Sequence, residues 1–101
     1  DEAYEVQKKI AELSGMGRRG WKIGATSESA QQLFGTTRPA AGALLSSYCY
    51  ENPAKIAIFS DQNTCVESEF AFRLLSDLPA RERVYQRDEV IEAIGAVMPA
   101  I

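Results

Sequence analysis

Residues Val66-Glu67-Ser68-Glu69-Phe70-Ala71-Phe72 set two carboxylates two positions apart in an apolar, strand-like run. Side chains of a strand alternate between its faces, so Glu67 and Glu69 share one face. Held together on a half-buried face, two carboxylates repel one another and resist ionisation. A hard divalent cation, Mg²⁺ or Mn²⁺, relieves that conflict because it takes oxygen ligands. An edge strand with a wet face and two solvated glutamates fits the same spacing.

The second group with chemistry is Lys22, in Trp21-Lys22-Ile23-Gly24. Alternation puts Trp21 and Ile23 on one side and Lys22 and Gly24 on the other, so a glycine leaves room beside the amine. An ordinary solvent-facing strand lysine is the competing reading. Histidine is absent from the chain. That excludes a Ser-His-Asp or Cys-His site and any His-ligated metal here, leaving carboxylates, lysine, tyrosine or a metal-bound water.

These residues need elements to position them. Residues 2–16 form an expected helix, with Ala3, Val6, Ile10, Leu13 and Met16 as a core-facing stripe ended by Gly15 and Gly17. A strand over 21–24 carries Lys22. Ser27 is a suitable N-cap for a helix over 28–34 that Gly35 closes. Residues 36–42 read as a loop, 44–50 as an extended stretch, 52–53 as a turn and 54–59 as a strand. After a turn at 60–63, the strand over 64–74 carries Glu67 and Glu69. A polar loop at 78–83 leads to a helix over 87–97, with Val90, Ile91, Ile94 and Val97 as its apolar stripe. Asp88 and Glu89 complement its dipole, Pro99 stops it, and Ala100-Ile101 begins another strand.

The 101 residues, 46% hydrophobic and 25% charged, suit a small globular unit rather than a disordered one. A net charge of −3 without a basic cluster argues against nucleic acid. No apolar run approaches the roughly 20 residues that span a bilayer. Asp1-Glu2-Ala3-Tyr4-Glu5 lacks the basic and apolar regions of a signal peptide, so a cytoplasmic location is expected. Cys49 and Cys65 form no metal or redox spacing, and two buried free thiols are expected rather than a disulfide. About four strands with unpaired edges, and a helix, proline and apolar pair at the end, lead us to expect that residues 1–101 are the N-terminal part of a single catalytic domain continuing beyond residue 101.

Four segments carry a resemblance. They are Ala3-Tyr4-Glu5-Val6-Gln7, Gly20-Trp21-Lys22-Ile23-Gly24-Ala25-Thr26-Ser27, Val66-Glu67-Ser68-Glu69-Phe70-Ala71-Phe72 and Val97-Met98-Pro99-Ala100-Ile101. In that order they resemble the 2-keto-4-pentenoate hydratase/4-oxalocrotonate decarboxylase group of the fumarylacetoacetate hydrolase superfamily. The resemblance implies a mixed α/β (α+β) fold, with a rolled β-sheet and flanking helices that is incomplete in this chain. It also implies a homo-oligomer and an Mg²⁺ or Mn²⁺ site in which Glu67 and Glu69 are two of three carboxylate ligands. The third would directly follow Ile101. Lys22 matches the group's active-site lysine.

One departure stands out. Hydratases of the group usually read P-D-x-G before the E-x-E strand, with the aspartate a candidate acid or base. This chain has Pro39-Ala40-Ala41-Gly42. The implied reaction is lyase chemistry, hydration or decarboxylation, on a small 2-oxo or 2-hydroxydienoic acid from aromatic-compound catabolism. The cation would act as Lewis acid, and Lys22 would orient substrate and assist proton movement. An acylpyruvate-type carbon–carbon bond hydrolase, or a non-catalytic fragment completed by another chain, are the other readings.

Overall fold

The computed structural model describes residues 2–101. In chain order the elements are α1 (Glu2–Ser14), β1 (Arg18–Gly24), α2 (Glu28–Leu33), β2 (Ala40–Leu45), a 3₁₀ turn (Ser46–Tyr48), β3 (Glu69–Leu74), α3 (Arg87–Ala93) and β4 (Ile94–Ala100). The chain is thus a mixed α/β protein with two small antiparallel sheets, β1-β2 and β3-β4. It divides into two compact units, one ending at Ile56 and the other running Ala57–Ile101.

In the first unit, α1 ends where Gly15 takes a φ of +65°, a left-handed conformation that glycine adopts without a Cβ clash. β1 pairs with β2 in the register Trp21↔Ala43, Lys22↔Gly42, Ile23↔Ala41 and Gly24↔Ala40. A bulge between Arg18 and Gly20 leaves Arg19 unmatched in the ladder, and its guanidinium pairs with the Glu51 carboxylate. Arg18 lies over the Trp21 ring, 4.6 Å from its centroid. The Ser27 hydroxyl accepts from Ala30 N at 3.2 Å, capping α2 as the sequence predicts.

The face by which α1 meets the sheet differs from the expected one. Val6, Ile10 and Leu13 are 53%, 57% and 76% exposed. Tyr4 and Gln7 make the contact instead. Gln7 Nε2 donates to Ala41 O and Gln7 Oε1 accepts from Ala43 N, each at 3.1 Å, while Tyr4 Oη accepts from Ala41 N at 3.2 Å. The outer edge of β2 presents bare backbone donors and acceptors, which polar side chains can pair and an apolar stripe cannot.

β2 also corrects the loop expected at 36–42. Ala40, Ala41 and Gly42 have weak strand propensity, but pairing with β1 overrides it. The extended stretch expected at 44–50 ends at Leu45, where the 3₁₀ turn begins. Residues 54–59 find no ladder partner among the described residues and form no strand.

In the second unit, β3 pairs with β4 from Glu69↔Ala100 to Leu74↔Ile94, with a bulge at Gly95. The helix expected over 87–97 therefore stops at Ala93, and residues 94–100 form a strand. Gly95 costs a helix about 1 kcal/mol, Val97 is β-branched, and Pro99 pushes Met98 out of the helical region. Ile94, Ala96, Met98 and Ala100 alternate with more exposed neighbours, the period of a strand. Ala93 is buried at 3% exposure; no other apolar residue among those described is buried.

Both cysteines are free, as expected, but Cys49 is only half-buried and Cys65 is exposed. No helix of the described residues is long and apolar enough to cross a membrane.

Candidate functional site

Lys22 stands in the middle of β1, opposite Gly42. Opposed residues of an antiparallel ladder share a face, so Gly20, Gly24, Ala40, Gly42 and Leu44 lie on the same side as Lys22. A Cβ built on Gly24 would meet nothing within 4 Å. Lys22 itself is half-buried, whereas its neighbours Trp21 and Ile23 are 51% and 50% exposed. Toward Gly24 the residues around it on this face are small, with Ala40 diagonal to it, while Leu44 sits diagonal on the other side. The sequence predicted the glycine beside Lys22, while the two small residues of β2 opposite became visible only through the register.

The other face of the same sheet carries a shallow groove of about 500 Å³ between α1 and the Trp21–Ala43 pair, lined also by Tyr4, Ala11, Met16 and Arg18. None of the predicted site residues lines it. We place no chemistry there, since volume alone does not make a site.

Glu69 opens β3 opposite Ala100, and both glutamates are exposed. Glu67 precedes the paired segment, because β4 pairs no further than Ala100. The strand expected over 64–74 is thus shorter than its sequence pattern. From Glu69 inward, one face carries Glu69, Ala71, Arg73, Ala96, Met98 and Ala100, and the other carries Phe70, Phe72, Val97 and Pro99. Lys22 lies in the first unit and the two glutamates in the second.

In kind, two carboxylate oxygens suit a hard divalent cation. In number they fall short, for no group of three or more acidic, histidine or cysteine residues that could hold a metal ion exists among the described residues.

A polar cluster joins the loop expected at 78–83 to Glu89, which the sequence placed at the start of the last helix. Glu89 Oε2 accepts from Arg81 Nη2 and from the Gln86 backbone N–H, and Oε1 accepts from Arg83 Nη2, each at 2.7 Å. The Arg81 hydrogen bond, then that of Gln86, pulls the Glu89 carboxyl from its ordinary 4.5 to about 2. The same bond raises the Arg81 guanidinium. Arg81 also lies 3.5 Å from the Tyr85 ring centroid, and Tyr85 Oη donates to Pro79 O at 2.7 Å. The cluster fixes the start of α3, and hence the strand that faces Glu69. A capping-box glutamate three residues after Gln86 was its signal in the sequence.

Comparison with known proteins bears on what these elements serve. The chain is 34% identical over 104 aligned positions to the 2-keto-4-pentenoate hydratase of Paraburkholderia xenovorans (strain LB400), covering all of this chain. It is equally similar, over the same extent, to 2-keto-4-pentenoate hydratase 3 of Pseudomonas putida. The chain is a sequence relative of the 2-keto-4-pentenoate hydratases. It spans 38% of the length of these curated relatives. No family model matches the chain, and no solved structure matches it significantly. The resemblance carried by the four segments is therefore matched by similarity along the whole of the chain.

Proposed function

We propose that the chain forms part of a metal-dependent lyase, a hydratase or decarboxylase, acting on a small 2-oxo or 2-hydroxydienoic acid. The observation that carries this reading is the similarity of all of this chain to 38% of the length of two 2-keto-4-pentenoate hydratases. Glu67 and Glu69 supply two oxygen ligands of an Mg²⁺ or Mn²⁺ ion. The resemblance to the hydratase group implies a third at the position after Ile101. When bound, the cation supplies positive charge toward the oxygens of a 2-oxo acid.

Lys22 is the active-site lysine of this reading. Its ammonium orients the substrate carboxylate and assists proton movement in the substrate, and Gly24, Ala40 and Gly42 leave space beside it for a planar acid. Ala40 bears on which lyase this is. It stands on the Lys22 face where the hydratase pattern has aspartate, and methyl carries no proton. Decarboxylation or tautomerisation tolerates that loss better than water addition. The remaining features of the proposal are a fumarylacetoacetate hydrolase-like rolled sheet completed outside these residues, a homo-oligomeric assembly, a role in aromatic-compound catabolism and a cytoplasmic setting.

Turnover of 2-hydroxypenta-2,4-dienoate and of a 2-oxo diacid by the protein carrying this chain tests the reading. Consumption of one of them should require Mg²⁺ or Mn²⁺ and fall by about 10²-fold in Lys22→Met, as loss of a general acid or base does. Metal-independent turnover, or full activity in Lys22→Met, would refute it.

A further inference from the structure

Gln7 is far from Lys22 in sequence and lies on another element, yet its two hydrogen bonds bracket the residue that faces Lys22. Gln7 binds Ala41 O and Ala43 N on the outer edge of β2, and Gly42 between them pairs with Lys22. In an antiparallel ladder the backbone groups of successive residues point alternately to the two sides. Because Ala41 and Ala43 turn theirs toward α1, Gly42 turns its own toward Lys22. Tyr4 adds a third bond at Ala41 N.

A carboxamide is the side chain suited to this edge. It offers one donor and one acceptor in a plane, as a neighbouring strand would. Gly42 has no side chain with which to hold the strand, and Ala41 and Ala43 contribute little more. The local order of β2 opposite Lys22 thus rests on its ladder with β1 and on the bonds from α1.

We infer that Gln7 is a positioning residue for Lys22, acting through Ala41, Gly42 and Ala43. The inference rests on the proposed role of Lys22 for its importance to catalysis, but the coupling itself is independent of that role. Losing the acceptor at Ala43 N opens this part of β2 and loosens the backbone of Lys22 opposite. A net hydrogen bond of about 1 kcal/mol corresponds to a roughly fivefold change in local opening.

The test compares Gln7→Met, which keeps the length of the side chain and removes both bonds, with Gln7→Glu, which keeps only the acceptor for Ala43 N. Amide exchange is read by NMR, and acylation of each lysine by mass spectrometry across pH. In Gln7→Met, exchange at Ala43 should rise roughly fivefold, and the pH profile of Lys22 acylation should shift while those of Lys8, Lys9 and Lys55 stay put. Gln7→Glu should also change both, because its second oxygen faces Ala41 O where the amide donated. An unaltered Lys22 profile overturns the inference, as does a uniform rise in exchange and acylation over the whole first unit. If Gln7→Met fails to fold, Gln7→Glu decides by the same two readings. Failure of the catalytic role is separate, since it appears as unchanged turnover in Lys22→Met whatever Gln7 does to labelling.

Discussion

Gln7 on α1 donates to Ala41 O on β2 at 3.1 Å across 34 residues of sequence, and this bond marks where the first helix meets its sheet. The contact is polar because a strand edge is polar. The apolar stripe of Val6, Ile10 and Leu13 is left outward, open to cover by some other surface.

Replacing Ser27 with alanine removes the hydroxyl that accepts from Ala30 N at the start of α2. The first unit should lose about 1 kcal/mol, read as a lower urea midpoint with unchanged slope. An unchanged midpoint would mean that α2 contributes nothing to the cooperative fold.

Ala25 follows β1 with a φ of 52°, and its carbonyl accepts from Gln31 Nε2 at 3.0 Å. Left-handed backbone costs a non-glycine residue roughly 1–2 kcal/mol, and glycine returns part of that gain through its freer unfolded chain. Ala25→Gly should therefore stabilise the protein, by about 0.5 kcal/mol in denaturant melts. A loss of stability would show that the Ala25 methyl makes packing contacts that outweigh its strain.

Glu89 titrates lower when folded, near 2 against an ordinary 4.5. Its carboxylate thus stabilises the fold fully above about pH 4.5, and this contribution disappears as pH falls toward 2. Helical NMR shifts of residues 87–93 should weaken over that interval in the unaltered protein. In Glu89→Gln they should be weaker at neutral pH and lack this part of the acid dependence. Parallel acid curves for the two proteins would show that the Arg81 and Arg83 pairs carry no stability.

Ala40→Asp restores the carboxylate that the hydratase pattern has on the Lys22 face. Hydration of 2-hydroxypenta-2,4-dienoate should rise, by roughly 10²-fold at most, while the unaltered protein hydrates it weakly. Fast hydration by the unaltered protein would mean that another residue supplies the proton.

The elements nearest the candidate residues were partly legible in the sequence. α1, β1 and α2 followed apolar spacing and the Ser27 and glycine end signals, and Lys22 fell on the strand predicted for it. β2 was hidden because Ala40-Ala41-Gly42 is a sequence of low strand propensity whose pairing comes from β1. β4 was hidden because Val90, Ile91, Ile94 and Val97 satisfy a helical period, while the competing strand needs β3 as a partner. The edge role of Gln7 left no periodic trace at all, since one polar residue on a helix has no period. Glu67 and Glu69 were singled out by spacing, but only Glu69 lies in the paired strand, and pairing depends on a partner that spacing cannot reveal.

The central claim is that Glu67 and Glu69 share one divalent cation, and paramagnetic broadening by Mn²⁺ tests it most directly. At low Mn²⁺, the amide signals of Glu67, Ser68 and Glu69 and of Ala100 and Ile101 should broaden first, the β3–β4 register bringing the last two alongside. Glu67→Gln should abolish that selectivity, and excess Mg²⁺ should compete with it. Broadening spread evenly over Glu2, Glu5, Asp61 and the other exposed carboxylates, unaffected by Glu67→Gln, would contradict the claim.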